Sequence, residues 1–184
     1  MAVTLPGTLI EVSEADIGSS RTMFDGIFAS GGITLSQVCV MTGLEPYMVQ
    51  NWVKRRFVSG PQKRMYSKNQ FARIVIINML RESLQIDSII EVLKHINGTL
   101  TDESDDLISD SELYHKFVDM TAMCGGNLYD VKRALEAAQA VAADYTEPVP
   151  GARRRLAETL EIMIYARISS QARQTAERRL KSLE

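Results

Sequence analysis

The chain has 184 residues, 45% hydrophobic and 24% charged, with a formal net charge of −2. That is an ordinary globular balance, with enough apolar material for a core without covalent staples. Two cysteines, Cys39 and Cys124, are too few for a disulfide framework and fit no metal-ligand spacing, so both read as buried thiols in a reducing compartment. No apolar run approaches the roughly 20 residues that span a bilayer, and Met1–Asp16 lacks a basic region followed by an apolar block. A cytoplasmic protein with no membrane partner is the expectation.

The mild net charge hides a strong asymmetry. Residues 34–98 carry nine Lys/Arg against four Asp/Glu, residues 99–147 three against eleven, and residues 148–184 eight against four. A basic segment, an acidic segment and a basic tail follow one another, which is a statement about partners.

In chain order, residues 1–33 read as an irregular lead with one short helix. Ser19 or Ser20 caps that helix through Met23, Phe24, Ile27 and Phe28, and Gly31-Gly32 stops it. Thr34 opens the next helix and Gly43 closes it. Pro46 suits the first turn of a further helix that turns Val49, Trp52 and Val53 inward. Phe57-Val58 and Met65-Tyr66 flank a turn at Ser59-Gly60-Pro61-Gln62, two short extended pieces forming a wing. Ser67 caps a helix with Phe71, Ile74, Val75, Ile77, Met79 and Leu80, and Asp87 caps another that ends at Asn97-Gly98. Residues 101–112 read as a solvated acidic connector. A helix through Leu113 and Phe117 breaks at Gly125-Gly126, and an Ala-rich helix spans Val131 to Ala143. Residues 152–183 form a long helix with Leu156, Leu160, Ile164, Ile168, Ala172, Ala176, Leu180 and Leu183 along one side. The fold class is all-α with a very short two-stranded wing, in three parts: lead 1–33, DNA-binding unit 34–98 and helical module 99–184.

The functional expectation comes from T-L-S-Q-V-C-V-M-T-G-L-E-P-Y-M-V-Q-N-W-V-K-R. Two helices joined tightly at Gly43, with Leu44 plugging the angle, can offer the second to a major groove about 12 Å wide. Its outward positions are Tyr47, Met48, Gln50, Asn51 and Lys54. Gln and Asn can pair bidentately with adenine, and Met or Tyr can touch a thymine methyl. Lys54, Arg55 and Arg56 stand where a phosphate strand would pass, with Lys63, Arg64 and Tyr66 on the wing and Arg73 behind it.

These motifs, with K-R-M-Y-S-K-N-Q-F-A-R-I and L-Q-I-D-S-I-I-E-V-L after them, resemble the winged helix-turn-helix of the mercury-resistance-regulator (MerR) type. The stretch Y-S-K-N-Q-F-A-R-I-V-I-I-N, with D-D-L-I-S-D-S-E-L-Y beyond it, is similar to a bacterial domain-of-unknown-function family carrying that fold. The resemblance implies a transcriptional regulator binding double-stranded DNA. Where typical members carry R-Y-Y-E, this chain has Gln50-Asn51-Trp52-Val53, so the phosphate-binding charge shifts to Lys54, Arg55 and Arg56.

The acidic stretch lacks the glycine and spacing of a calcium loop. His95 and His115 have no partners at ligand spacing, and no Gly-rich phosphate loop occurs. No metal, cofactor or enzymatic activity is therefore expected. A homodimer fits a reader of two half-sites. Met120, Met123, Met163 and Tyr165 are candidates to line an effector pocket, although core packing explains them equally. The alternative function is a non-enzymatic protein-docking module on the same scaffold.

Overall fold

The computed structural model describes residues 2–183. It is mostly helical with two short antiparallel sheets. One contiguous hydrophobic core runs from Leu5 to Ala166, through all three expected parts of the chain.

The lead is more ordered than its composition suggests. Strands β1 (Ala2–Thr4) and β2 (Glu11–Ser13) pair antiparallel, and a 3-10 turn over Glu14–Ser19 leads into helix α1 (Ser20–Ile27). Three-residue strands are too short to show alternation, and what holds them is the burial of Leu5, Val12 and Ile17. Between the strands, Gly7 has φ +74 and lies so close to a later helix that a Cβ would sit 2.4 Å from the Val75 carbonyl oxygen. Only glycine fits both constraints.

Helix α2 (Leu35–Thr42) begins with a reciprocal capping box between Thr34 and Gln37. Gly43, at φ 71, ends it in the left-handed cap. Helix α3 (Pro46–Lys54) starts on Pro46, as expected. The wing differs from the sequence reading. Phe57-Val58 does not pair with Met65-Tyr66. Strand β4 (Met65–Tyr66) pairs instead with β3 (Ile33–Thr34). The reason is local: the Phe57 and Val58 amides donate back to the Trp52 carbonyl, and Val58 is buried.

Helix α4 (Lys68–Leu80) is the centre of the molecule. Ser67 and Gln70 form its capping box, and every residue from Gln70 to Ile77 is buried. Helix α5 (Ile86–Asn97) is capped by extended Gln85. Asp87 sits inside its first turn, where a carboxylate complements the helix dipole, and is not the cap. The acidic segment does not remain solvated. Helix α6 (Asp110–Met123) begins within it, with Asp110 and Ser111 buried. Helix α6 packs along α4, followed by α7 (Val131–Ala143) and the 30-residue α8 (Ala152–Lys181). On α8, Leu156, Leu160 and Ile164 are buried, but Ala172, Ala176, Leu180 and Leu183 are exposed, so the expected apolar side is covered along its first half only. Met120 and Met163 lie in the core while Met123 and Tyr165 are at the surface, so these four do not gather round a pocket. No helix among the described residues is long and apolar enough to cross a membrane.

Candidate nucleic-acid interface

Helices α2 and α3 pack through Val38, Leu44, Val49 and Trp52, all buried. Cys39 is half-buried, more open than expected, whereas Cys124 is buried. This packing fixes which face of α3 points outward. Tyr47, Gln50, Asn51 and Lys54 are exposed and Met48 is half-buried.

The turn after α3 and the tip of the wing hold an unusual backbone. Among the described residues, the non-glycine residues with positive φ are Arg56 (φ 60), Lys63 (φ 49) and Arg64 (φ 66). All three are cations, and all three are exposed. Gln62 and Met65 exchange backbone hydrogen bonds of 3.0 and 2.8 Å, so Lys63-Arg64 are the two central residues of a two-residue hairpin. Positive φ at both makes it a type I′ turn, which normally selects Asn-Gly. An L-residue held left-handed costs about 1 kcal/mol. The wing tip therefore carries two cations at positions where the backbone alone favours other residues.

The wing is anchored from beneath. The Gln70 amide donates to the Ser59 carbonyl, the Ser59 hydroxyl and the Gly60 carbonyl at 2.9–3.1 Å. Sequence reasoning missed Gln70 in this role. The Ser67-x-x-Gln70 pattern announces the cap but not the second use of the side chain. A groove of about 370 Å³ separates α3 from the wing, lined by Leu35, Gln50, Val53, Pro61, Arg64 and Tyr66.

The cations differ in how far they are engaged. Arg55 lies 3.5 Å from Asp87 and stacks over the Phe57 ring at 4.4 Å, so its charge is partly held by α5. Lys54, Arg56, Lys63 and Arg64 meet no carboxylate at ion-pair distance among the described residues.

Two expected contact residues lie elsewhere. Tyr66 is buried in the core, the alternative that the sequence left open. Arg73 is only 3% exposed, which removes it from any phosphate strand. Its Nε meets Asp110 Oδ2 at 2.8 Å, and Nη1 donates to the Leu100 carbonyl. Asn97 supports this pair, its amide donating to Asp110 and its carbonyl oxygen accepting from the Ile108 amide. Asp106 stands beside it, and burial together with the Asp110 charge pushes its carboxyl up to about 7. Burial also raises Asp110, with Arg73 opposing.

A Ser–His contact also forms, with Ser20 Oγ 2.9 Å from His115 Nδ1. Both residues are buried, and His115 is packed edge-on against Phe24. Burial and the neighbouring Arg21 charge push the imidazole down to about 4, so it is neutral in ordinary buffers. No substrate can reach a pair sealed in this way. Among the described residues, no three His, Cys, Asp or Glu side chains group as metal ligands.

Residues 33–117 match the family model described as "Domain of unknown function (DUF1836)". The match begins at β3 and ends within α6, so it includes the reading head, the acidic segment and both sides of the Arg73–Asp110 pair. The chain is also similar to the "Uncharacterized protein YkrK" of Bacillus subtilis (strain 168), 30% identical over 93 residues. That alignment covers 48% of this chain and 40% of the relative, so the chain spans less than half the length of that protein. No solved structure matches.

Proposed function

We propose that α3 and the wing bind double-stranded DNA, in the manner of a MerR-like winged helix-turn-helix, and that the protein is a non-enzymatic transcriptional regulator. The observation that carries this reading is the set of free cations around α3. Lys54, Arg56, Lys63 and Arg64 have no internal partner among the described residues, and three of them occupy left-handed backbone positions. Charge kept at a conformational cost, without an internal use, fits an external polyanion. Helix α3 enters the major groove with Gln50 and Asn51 toward base edges, while Arg56 and the wing tip hold phosphates. A symmetric homodimer would read two half-sites about one helical turn apart.

The test is fluorescence anisotropy with duplexes selected from a random pool. Lys54→Ala together with Arg64→Ala should weaken binding of every duplex and reduce the salt slope by about 2. Absence of any salt-sensitive duplex affinity would sink the proposal.

The docking alternative has one observation of its own. Val40 on α2 is 72% exposed beside a groove shared with Ile27, Ile33 and Met41. Val40→Asp should leave DNA affinity unchanged if DNA is the partner.

A further inference from the structure

Helix α8 has two apolar faces, and the molecule uses one. Leu156, Leu160, Met163 and Ile164 enter the core. On the opposite side, Ile162 is 39% exposed, Tyr165 49%, Leu180 65% and Leu183 82%. Ser169, Ala172 and Ala176 lie between them, also exposed. At 3.6 residues per turn these seven positions fall in one strip roughly 80° wide. Their spacing alternates between three and four residues, as in a helix-pairing seam.

Two further observations bear on what covers the strip. Beyond Ser170 no described residue of α8 is buried, and Gln174 reaches back to Glu82 through one side-chain hydrogen bond. A projecting helix of about 12 residues is marginal in water without a partner. The charges beside the strip are also segregated. Glu158 and Glu161 flank its first half, and Arg173, Arg178, Arg179 and Lys181 its second.

We infer that the outer face of α8 pairs antiparallel with the same face of a second copy of this chain. With the two-fold axis between Ser170 and Gln171, Tyr165 of one copy lies over Ala176 of the other. Ser169 lies over Ala172, so large residues meet small ones. Glu158 and Glu161 then run beside the second copy's basic end, while Arg153, Arg154 and Arg155 pass beyond it. A parallel pair would instead stack acidic ends together and basic ends together, which like-charge repulsion disfavours. Because the face is remote from α3 in sequence and needs no DNA, the pairing stands or falls separately from the DNA reading.

Sedimentation equilibrium of the whole protein, without DNA, tests it. A concentration-dependent dimer is expected, weakened by high salt. Ala172→Glu should raise its dissociation constant roughly 30-fold or more, with an unchanged thermal unfolding curve because residue 172 is exposed. Ser169→Cys, near the axis, should give a disulfide-linked dimer on oxidation beyond any formed by the parent protein. Leu183→Cys, at the far end, should not. A monomer at all concentrations, a dimer indifferent to Ala172→Glu, or self-crosslinking through residue 183 would each overturn the inference.

Discussion

Two groups of cations sit on either side of α4 and are treated in opposite ways. Arg73 is buried, ion-paired to Asp110 and bonded to the Leu100 carbonyl, so its charge is consumed within the molecule. Lys63 and Arg64 stand on an exposed turn whose backbone disfavours them, and nothing internal receives their charge. Arg73 serves to join the segment after α5 to α4. The wing cations contribute little to joining anything. Removing a charge should therefore harm stability at one place and binding at the other.

The largest effect is expected at Arg73. Arg73→Met leaves the Asp110 carboxylate buried without its partner and should destabilise the fold by about 3–5 kcal/mol in urea unfolding. Adding Asp110→Leu should recover much of that loss, because the stranded charge is then gone. If Arg73→Met left stability unchanged but abolished DNA affinity, the contrast between the two groups would be broken.

The wing should respond in the opposite sense. Replacing Lys63-Arg64 by Asn-Gly gives the type I′ turn its preferred residues. A stability gain of about 1 kcal/mol is expected, together with a salt slope for DNA binding lower by about 2. Measuring both quantities on one variant separates a functional cost from an indifferent substitution.

The smallest effect concerns pH. Asp106 has a folded value of about 7, above its unfolded one, so between roughly pH 4 and 7 the folded state holds the extra proton. Its contribution is full below that window and is lost as pH rises through 7. His115 acts oppositely. Its value of about 4 means that stability rises with pH up to about 6.5, where the unfolded imidazole loses its charge. Asp106→Asn should remove the first trend and leave the second. Its unfolding midpoint should climb from pH 4 to 6.5 and then stay flat, where the parent protein declines toward pH 7.

The local punctuation of the helices was legible in the sequence. Thr34 with Gln37, Gly43, Pro46 and Ser67 with Gln70 act within four residues of where they stand, so spacing reveals them. The partner of the wing strand was not legible. Strand β4 joins β3 across more than thirty residues with two residues on each side, too few for a periodic signal. Arg73 was misplaced for a related reason. Its four following residues, Ile74-Val75-Ile76-Ile77, mark a helix covered all round, and a cation in such a helix needs a buried partner. The matching carboxylate sits in a segment that composition presents as a solvated linker. On α3 the exposed positions followed from the burial of Val49 and Trp52. The left-handed backbone of Arg56, Lys63 and Arg64 did not, because it is set by turn geometry and not by composition.

The ordered lead bears on how the molecule is made. Tyr114 donates its hydroxyl to the Pro6 carbonyl, 108 residues earlier, and the Leu9 amide donates to Met41 at the end of α2. Asn78 ties the Gly7 and Thr42 carbonyls together. A ribosome delivers this clasp first, yet it cannot close until α6 has emerged. Residues 34–98 are therefore not a self-sufficient module. A gene fragment cut to that segment would lack both the clasp and the helix that covers α4, and would expose the most apolar surface in the protein.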